Sequence, residues 1–425
     1  MQRRFFALRK RTTGLWHNTD FLTLWAGETL SMFGSGITTI ALPLVAVITL
    51  GASAWQMGVL RALNYVPSIV FGLFAGVLVD RVRRKPLLIG ANIGKAFVLS
   101  VPPLAAALGL LRIELLYGVI FASGILSVFL NLAFFSFFPA LVGRDDLMEG
   151  NGKFETSSAL AQIVGPGIAG VLVQVLTAPG AIVIDVCSFL IAAVAVGRTR
   201  TVELPPAPSS AQRHLGAEIA EGIRAFRDNG FLRAFTFSSA TFDVFGNAIF
   251  TVYFLYTSHV LHLSPLQIGL IFGIGSIGAL IGSFVARSAG QQFGLGLAII
   301  GAQALIGVAG LLIACAVALP ERALLLLTVA EFAQSLFNTI YNVNRTSVSQ
   351  ATTPDRVRGR VRAATTVVSI SAALAGSLLG GVIGQVVGVE QTLVLGALGG
   401  IVPFIWLIFS PVRTLRTMPA LQEEA

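Results

Sequence analysis

Apolar runs long enough to cross a lipid bilayer recur along this chain from Phe21 to Pro411, with only short polar breaks between them. A helix needs about 20 predominantly apolar residues to span the hydrocarbon. We place twelve such segments, at 21–50, 57–79, 87–110, 113–138, 154–177, 180–197, 233–260, 266–286, 293–318, 322–345, 363–388 and 391–410. The fold class expected is an all-α membrane protein with twelve transmembrane helices. Composition agrees, because 55% hydrophobic residues, 12% charged residues and a mean hydropathy of +0.82 lie outside the range of globular domains.

The first run exceeds a secretory h-region, lacks a small-residue cleavage site and precedes eleven others, so it is expected to be retained. Cys187 and Cys315 fall inside apolar runs, where they are expected to be small buried hydrophobes rather than disulfide partners.

The net charge of +9 raises nucleic acid as a partner, and the distribution of the cations argues against it. With both termini taken as cytoplasmic, 25 of the 29 Lys and Arg residues fall in inner segments. The outer loops hold Arg112 and Arg322, while Arg61 and Lys95 lie within helices. This is the positive-inside bias of a multi-pass protein of a cytoplasmic membrane. Asn344 in "NRT" then faces the cytoplasm, which discounts it as a glycosylation acceptor.

The longest polar break, 198–232, begins with "ELPPAPSSAQ" near its start and divides six helices from six. Within it Leu215, Ile219, Ile223 and Phe226 share one face of an expected surface-lying helix. Two local matches point to duplication: "SAWQMG" at Ser53 with "SPLQIG" at Ser264, and "RDDLMEG" at Arg144 with "PDRVRG" at Pro354. The expected organisation is a segment 1–20, a six-helix bundle 21–197, the linker 198–232, a second, pseudo-symmetric bundle 233–410 and a tail 411–425.

"GVLVDRVRRK", from Gly76 to Lys85, resembles the loop signature between helices two and three of the major facilitator superfamily of transporters. Gly76, Leu78, Asp80, Arg81, Arg84 and Lys85 match, and Arg83 stands where glycine is usual. The resemblance implies the two-bundle major facilitator fold and a gating role for this loop; setting topology is the simpler role. "AQIVGPGIAG" is similar to the superfamily's antiporter signature through Gly165, Pro166 and Gly170, with close helix packing as the plainer reading. "NTDFLTLWAGETLSMFGSGITTIALPLV", "DVCSFLIAA" and "TPDRVRGRV" resemble the branch that holds the enterobactin exporter and macrolide efflux proteins. "GIGSIG" at Gly273 fits a dinucleotide fingerprint in spelling only, since no strand precedes it. No nucleotide, metal or cofactor site is expected, and no enzymatic constellation is found.

Polar residues in spanning helices are costly, so their spacing is informative. Helix one carries Glu28, Ser31, Ser35 and Thr38, and helix four carries Ser123, Ser127 and Asn131. Helix seven carries Thr236, Ser239, Asp243 and Asn247. Helix ten carries Glu331, Gln334, Ser335, Asn338, Asn342 and Arg345. Each set steps by three or four and forms a stripe on one face. In the superfamily these four helices line the central cavity. Phe134 and Phe138 are expected as aromatic walls of it, with lipid contact as the alternative for any single Phe.

Glu28, Asp243 and Glu331 are the candidates for proton coupling. Arg61 or Lys95 is a possible structural partner for one of them, Arg61 for Glu28 in the first instance. Asp185 in helix six reads as a packing or capping acid. The expected function is a monomeric exporter of bulky amphipathic organic solutes (drugs, secondary metabolites or siderophores) by proton antiport in a bacterial inner membrane. Uptake by proton symport on the same fold is the alternative; a receptor without transport would need no acids facing the cavity.

Overall fold

The computed structural model describes residues 14–143, 146–200, 226–227 and 229–418, with the side chains at 73, 77, 80 and 355–357 outside that description. Among the described residues the elements are helical, without a strand. The first half comprises α1 (Thr19–Leu44), α2 (Ala54–Arg81), α3 (Arg84–Ala107), α4 (Ile113–Val142), α5 (Leu147–Leu176) and α6 (Ala178–Arg198). The second comprises α7 (Gly230–Leu255), α8 (Pro265–Phe293), α9 (Leu295–Ala318), α10 (Ala323–Thr352) and α11 (Asp355–Val386). A final segment is split into α12 (Val389–Gly399) and α13 (Pro403–Ile408). Pro403, which has no N–H to donate, restarts the helix after Gly399 and Gly400.

Among the described residues, ten segments are long and apolar enough to cross a membrane, the split one included. Of the other two long helices, α7 interrupts its apolar run with Asp243 and Asn247, whereas the sequence of α2 carries no charged residue from Ala62 to Val79. The chain is a multi-pass membrane protein. Several helices overshoot the spans expected from hydropathy: α5 starts at Leu147 and α11 at Asp355. Hydropathy reports the thickness of the hydrocarbon, whereas backbone hydrogen bonding carries a helix on into the polar phase.

The duplication is visible in local geometry. Asn18 and Asn229, 211 residues apart, cap α1 and α7 by accepting backbone N–H groups of the first turn. Both helices end in a π-helical turn, Val45–Thr49 and Tyr256–Val260. Ser53 and Ser264 then open α2 and α8 with reciprocal capping boxes to Gln56 and Gln267. In each box the serine N–H donates to the Gln Oε1 at 2.8 Å, and the Gln N–H to the serine Oγ at 3.3 Å. The glycine missing at Arg83 costs the turn nothing: Arg83 adopts φ −67° and ψ 129°, open to any residue, whereas its counterpart Gly294 sits at φ 83°.

Within the first half α1 packs on α5 and α6, and α3 on α4 and α6; in the second, α10 packs on α8 and α9, and α7 on α11. The halves meet through α2 against α11 and α5 against α8. Cys187 and Cys315 are free, but they are exposed on the outside of the helices, which corrects the expectation of burial. Hydropathy cannot separate a lipid-facing from a core-facing position, because lipid is as apolar as the core. The expected surface helix lies largely in 201–225, outside the described residues.

Candidate functional site

Two seams hold the halves together near the ends where α2 and α8 begin and α5 and α11 finish. A Cβ placed on Gly58 of α2 would come within 2.8 Å of Gly381 Cα on α11, and one on Gly170 of α5 within 2.8 Å of Gly269 Cα on α8. Both contacts are backbone to backbone, so neither helix pair tolerates a side chain there. The Pro166 carbonyl lies against Gly269, and Gly165 faces Gly36 of α1, so all three residues of the helix-five signature sit at close helix crossings.

Beside these seams lies a cavity of about 220 Å³ between α1, α2, α3, α4, α6 and α7. Its polar lining includes Ser35, Thr38, Arg61, Lys95, Ser127 and Asp185, and its apolar wall includes Leu42, Met57, Phe250 and Phe254. Thr38 donates its hydroxyl to Asp185 Oδ2 at 2.5 Å, and Ser188 donates to Oδ1 at 3.1 Å. Lys95 donates to Ser127 Oγ at 2.9 Å and stands 4.4 Å from the centre of the Phe189 ring. It interacts electrostatically with both Asp185 and Glu28. Its charge is thus felt by carboxylates on α6 and α1, while its hydrogen bond goes to Ser127 on α4. The cation acting on Glu28 is Lys95, not Arg61, because α3 and α1 both pack on α6.

Arg61 turns to the other half. Its Nε–H and the Tyr65 hydroxyl both donate to Asn247 Oδ1 on α7, at 3.1 and 2.7 Å, and its guanidinium carbon lies 3.9 Å from the centre of the Phe250 ring. Asn247 is held in turn by donating to the Asp243 carbonyl at 2.8 Å.

A second cavity, of about 860 Å³, lies within the other half, where α7 begins, α10 ends and α11 begins. Arg345 lines it and donates to Ser239 Oγ at 3.0 Å. Asp243 lies near Ser369 and Arg345.

Of the residues expected at a cavity, Ser35, Thr38 and Ser127 line the first, and Asn247 stands behind Arg61. The others are dispersed. Ser31 is buried in α1 and Asn131 is exposed. Phe134 and Phe138 pack with Phe154, at centroid distances of 5.1 and 5.3 Å, in an apolar cluster that also holds Phe21 and Leu15. Gln334 faces Gly310 of α9, and Asn342 donates to Asn338 at 2.9 Å. The Glu331 stem presses against Gly275 of α8. Of the loop signature, Gly76 and the exposed Arg81 lie in α2, Arg84 and Lys85 open α3, and Lys85 donates to the Thr199 carbonyl. The Asp80 side chain lies outside the described residues.

Asp185 and Lys95 are the residues that sequence reasoning undervalued. Each is the lone charge of its apolar run, 87–110 for Lys95 and 180–197 for Asp185, so a search for stripes passes over them; the available signal was that an isolated buried charge needs a partner. Among the described residues, no group of His, Cys, Asp and Glu could hold a metal ion.

A sequence model described as Major Facilitator Superfamily matches residues 24–286 and 236–423. Macrolide efflux protein A of Streptococcus pyogenes is 31% identical over 209 residues, 49% of this chain and 51% of that protein. The matched stretch thus spans about half the length of that relative. Multidrug efflux pump Tap of Mycolicibacterium fortuitum is 27% identical over 354 residues, 80% of this chain and 82% of the pump. A bacterial homologue of the human lysosomal transporter Spinster shares the fold with a TM-score of 0.70 at 14% identity, covering 96% of this chain and all of that one. The nucleoside transporter NupG does so with a TM-score of 0.71 at 13% identity, covering 92% and 98%. The duplicated halves, the α2–α11 and α5–α8 seams and the match along nearly the whole length agree: the chain belongs to the Major Facilitator Superfamily, a family of membrane transporters and not of enzymes.

Proposed function

We propose that this protein is a secondary active transporter that exports bulky amphipathic organic solutes from the bacterial cytoplasm in exchange for protons. The observation that carries the reading is the placement of Asp185 and Lys95, with Glu28 within the reach of the lysine charge, at a cavity with an apolar wall, next to seams that close the protein at one end. Ionised carboxylates are expensive in a membrane, and their neutralisation by a proton or a partner is the free energy that a proton-coupled carrier can use. The efflux names of the two relatives support the direction.

The cavity of about 220 Å³ is smaller than the roughly 300 Å³ lower bound for drug-sized ligands. A bulky solute is therefore admitted when the halves move, which is alternating access. In this reading both termini are cytoplasmic, the closed end faces outward, and the loop signature around Asp80 holds the inner end when it closes. Glu28, Asp243 and Glu331 remain proton-carrying candidates, joined by Asp185.

The test uses purified protein in proteoliposomes with an imposed pH gradient and a panel of macrolides and amphipathic dyes. Solute addition on the cytoplasmic side should dissipate the gradient and drive solute out. Solute movement in the same direction as protons favours uptake by symport instead, and no gradient-dependent flux of any panel member defeats the proposal.

A further inference from the structure

Arg61 is a cation inside the membrane that no acid serves among the described residues. Its titratable neighbour is the Tyr65 hydroxyl, and no carboxylate acts on it among the described residues. Lys95, the other cation of the same cavity, already has Asp185 and Glu28. Of the five donors of the Arg61 guanidinium, the Nε–H is used on Asn247, the Tyr65 hydroxyl is the other polar side chain beside it, and no carboxylate takes the terminal nitrogens among the described residues. The side chain is nevertheless fixed, since Asn247 holds Nε from one side and the Phe250 ring lies against its face.

We propose that Arg61 is the specificity-determining residue for an acidic group on the transported solute, so that the protein favours amphipathic organic acids over their neutral or cationic analogues. This rests on the transport function proposed above and narrows its substrate class.

Three observations lead there. An unpaired charge in this setting costs free energy that a purely mechanical tie between α2 and α7 does not require, because a neutral amide would reach Asn247 as well. The guanidinium is held by its Nε and its face, which leaves the forked terminal edge for a carboxylate, sulfonate or phenolate, the groups it binds in bidentate or charge-assisted fashion. Leu42, Met57 and Phe254 supply the wall for an apolar body beside that edge. The second cavity adds the same bias: Arg345 and Arg362 line it, and none of its described lining residues is a carboxylate. A nearby acid, Asp243, acts on Arg345 but does not reach Arg61.

The experiment is equilibrium binding to purified protein of a fluorescent pair that differs in one charge, a diethylaminocoumarin carboxylic acid and its ethyl ester. The wild type should prefer the acid by about tenfold or more, as for a desolvated charge pair. Arg61→Gln should abolish that preference by weakening the acid alone, and Arg61→Lys should bind the acid between the two. Equal binding of acid and ester by the wild type overturns the proposal. So does an equal loss of both probes in Arg61→Gln, which is the result for a mechanical tie. If Arg61→Gln does not fold, Arg61→Lys decides, and acid binding unchanged from wild type overturns it. Failure to bind either probe, with cationic dyes still exported, overturns the anion preference and leaves export standing. An Arg61-dependent acid preference with inward movement of the acid keeps the inference and removes export.

Discussion

Thr38 on α1 donates its hydroxyl to Asp185 on α6 across 147 residues of sequence, and this bond at 2.5 Å is one of two that hold the buried carboxylate in place. Removing the donor leaves one carboxylate oxygen without its partner. Thr38→Val should cost about 1.5–3 kcal/mol, the usual worth of a hydrogen bond to a charged group, and Thr38→Ser should restore most of it. Thermal unfolding of the purified proteins reads both effects. Equal stability of the Val and wild-type proteins means that the bond contributes nothing.

The Gly58–Gly381 contact predicts a conformational effect. Gly58→Val places a side chain against the backbone of Gly381 and against the Ser377 carbonyl, 2.8 and 2.9 Å from the new Cβ, so the helices must separate. The population should shift away from the state closed at this end. With Cys187 and Cys315 replaced by Ser, a cysteine at Thr39 in the cavity wall should react faster with an impermeant thiol reagent added from the side of Ala52. An unchanged labelling rate would sink the claim that this seam is a gate.

How much was legible in advance depends on which interactions a residue type reveals. The all-helical membrane class followed from the thickness of the hydrocarbon, with ten segments among the described residues long and apolar enough to cross it, and the duplication followed from Ser53 and Ser264, whose capping boxes are set by side-chain chemistry within four residues. The cavity was less legible. Phe134 and Phe138 read equally well as cavity wall, core or lipid face, because each of those surroundings is apolar; their packing with Phe154 depends on how α4 meets α5. Asp185 and Lys95 lie 90 positions apart on helices with no other charge in the membrane, so only the packing of α3 on α6 shows them as partners.

Orientation is open to a direct check. The distribution of Lys and Arg predicts that the loops at Ala52 and Ser264 face outward and that the linker faces the cytoplasm. Single cysteines at Ala52 and Ser264 should react with an impermeant reagent applied to intact cells, while one at Ser209 should react only after permeabilisation. The opposite pattern inverts the protein and, with it, the direction of transport proposed here.

Glu331 gives the last prediction, because its surroundings isolate it. Its stem lies against Gly275, and Tyr253, the ionisable group it acts on, has a buried hydroxyl with no hydrogen-bond partner among the described residues. No cation acts on this carboxylate among the described residues, in contrast to Glu28 and Asp185, which both feel the charge of Lys95. A charged carboxylate at that place costs at least about 2.5–3.5 kcal/mol on insertion scales and finds no counter-charge to offset it. The protonated form therefore carries no such penalty, and Glu331→Gln, which copies the shape of that form, should leave thermal stability at or slightly above wild type. Tyr253→Phe should be near neutral as well, since the hydroxyl it removes bonds to nothing. If Glu331 is the group that gives up and regains the transported proton, Glu331→Gln should still bind solute and still exchange it for solute across the membrane, yet fail to move it against a gradient driven by protons. Exchange and gradient-driven export measured in the same proteoliposomes separate these steps. Gradient-driven export at the wild-type rate in Glu331→Gln assigns the proton to Asp185, Glu28 or Asp243 and reduces Glu331 to a packing residue against Gly275.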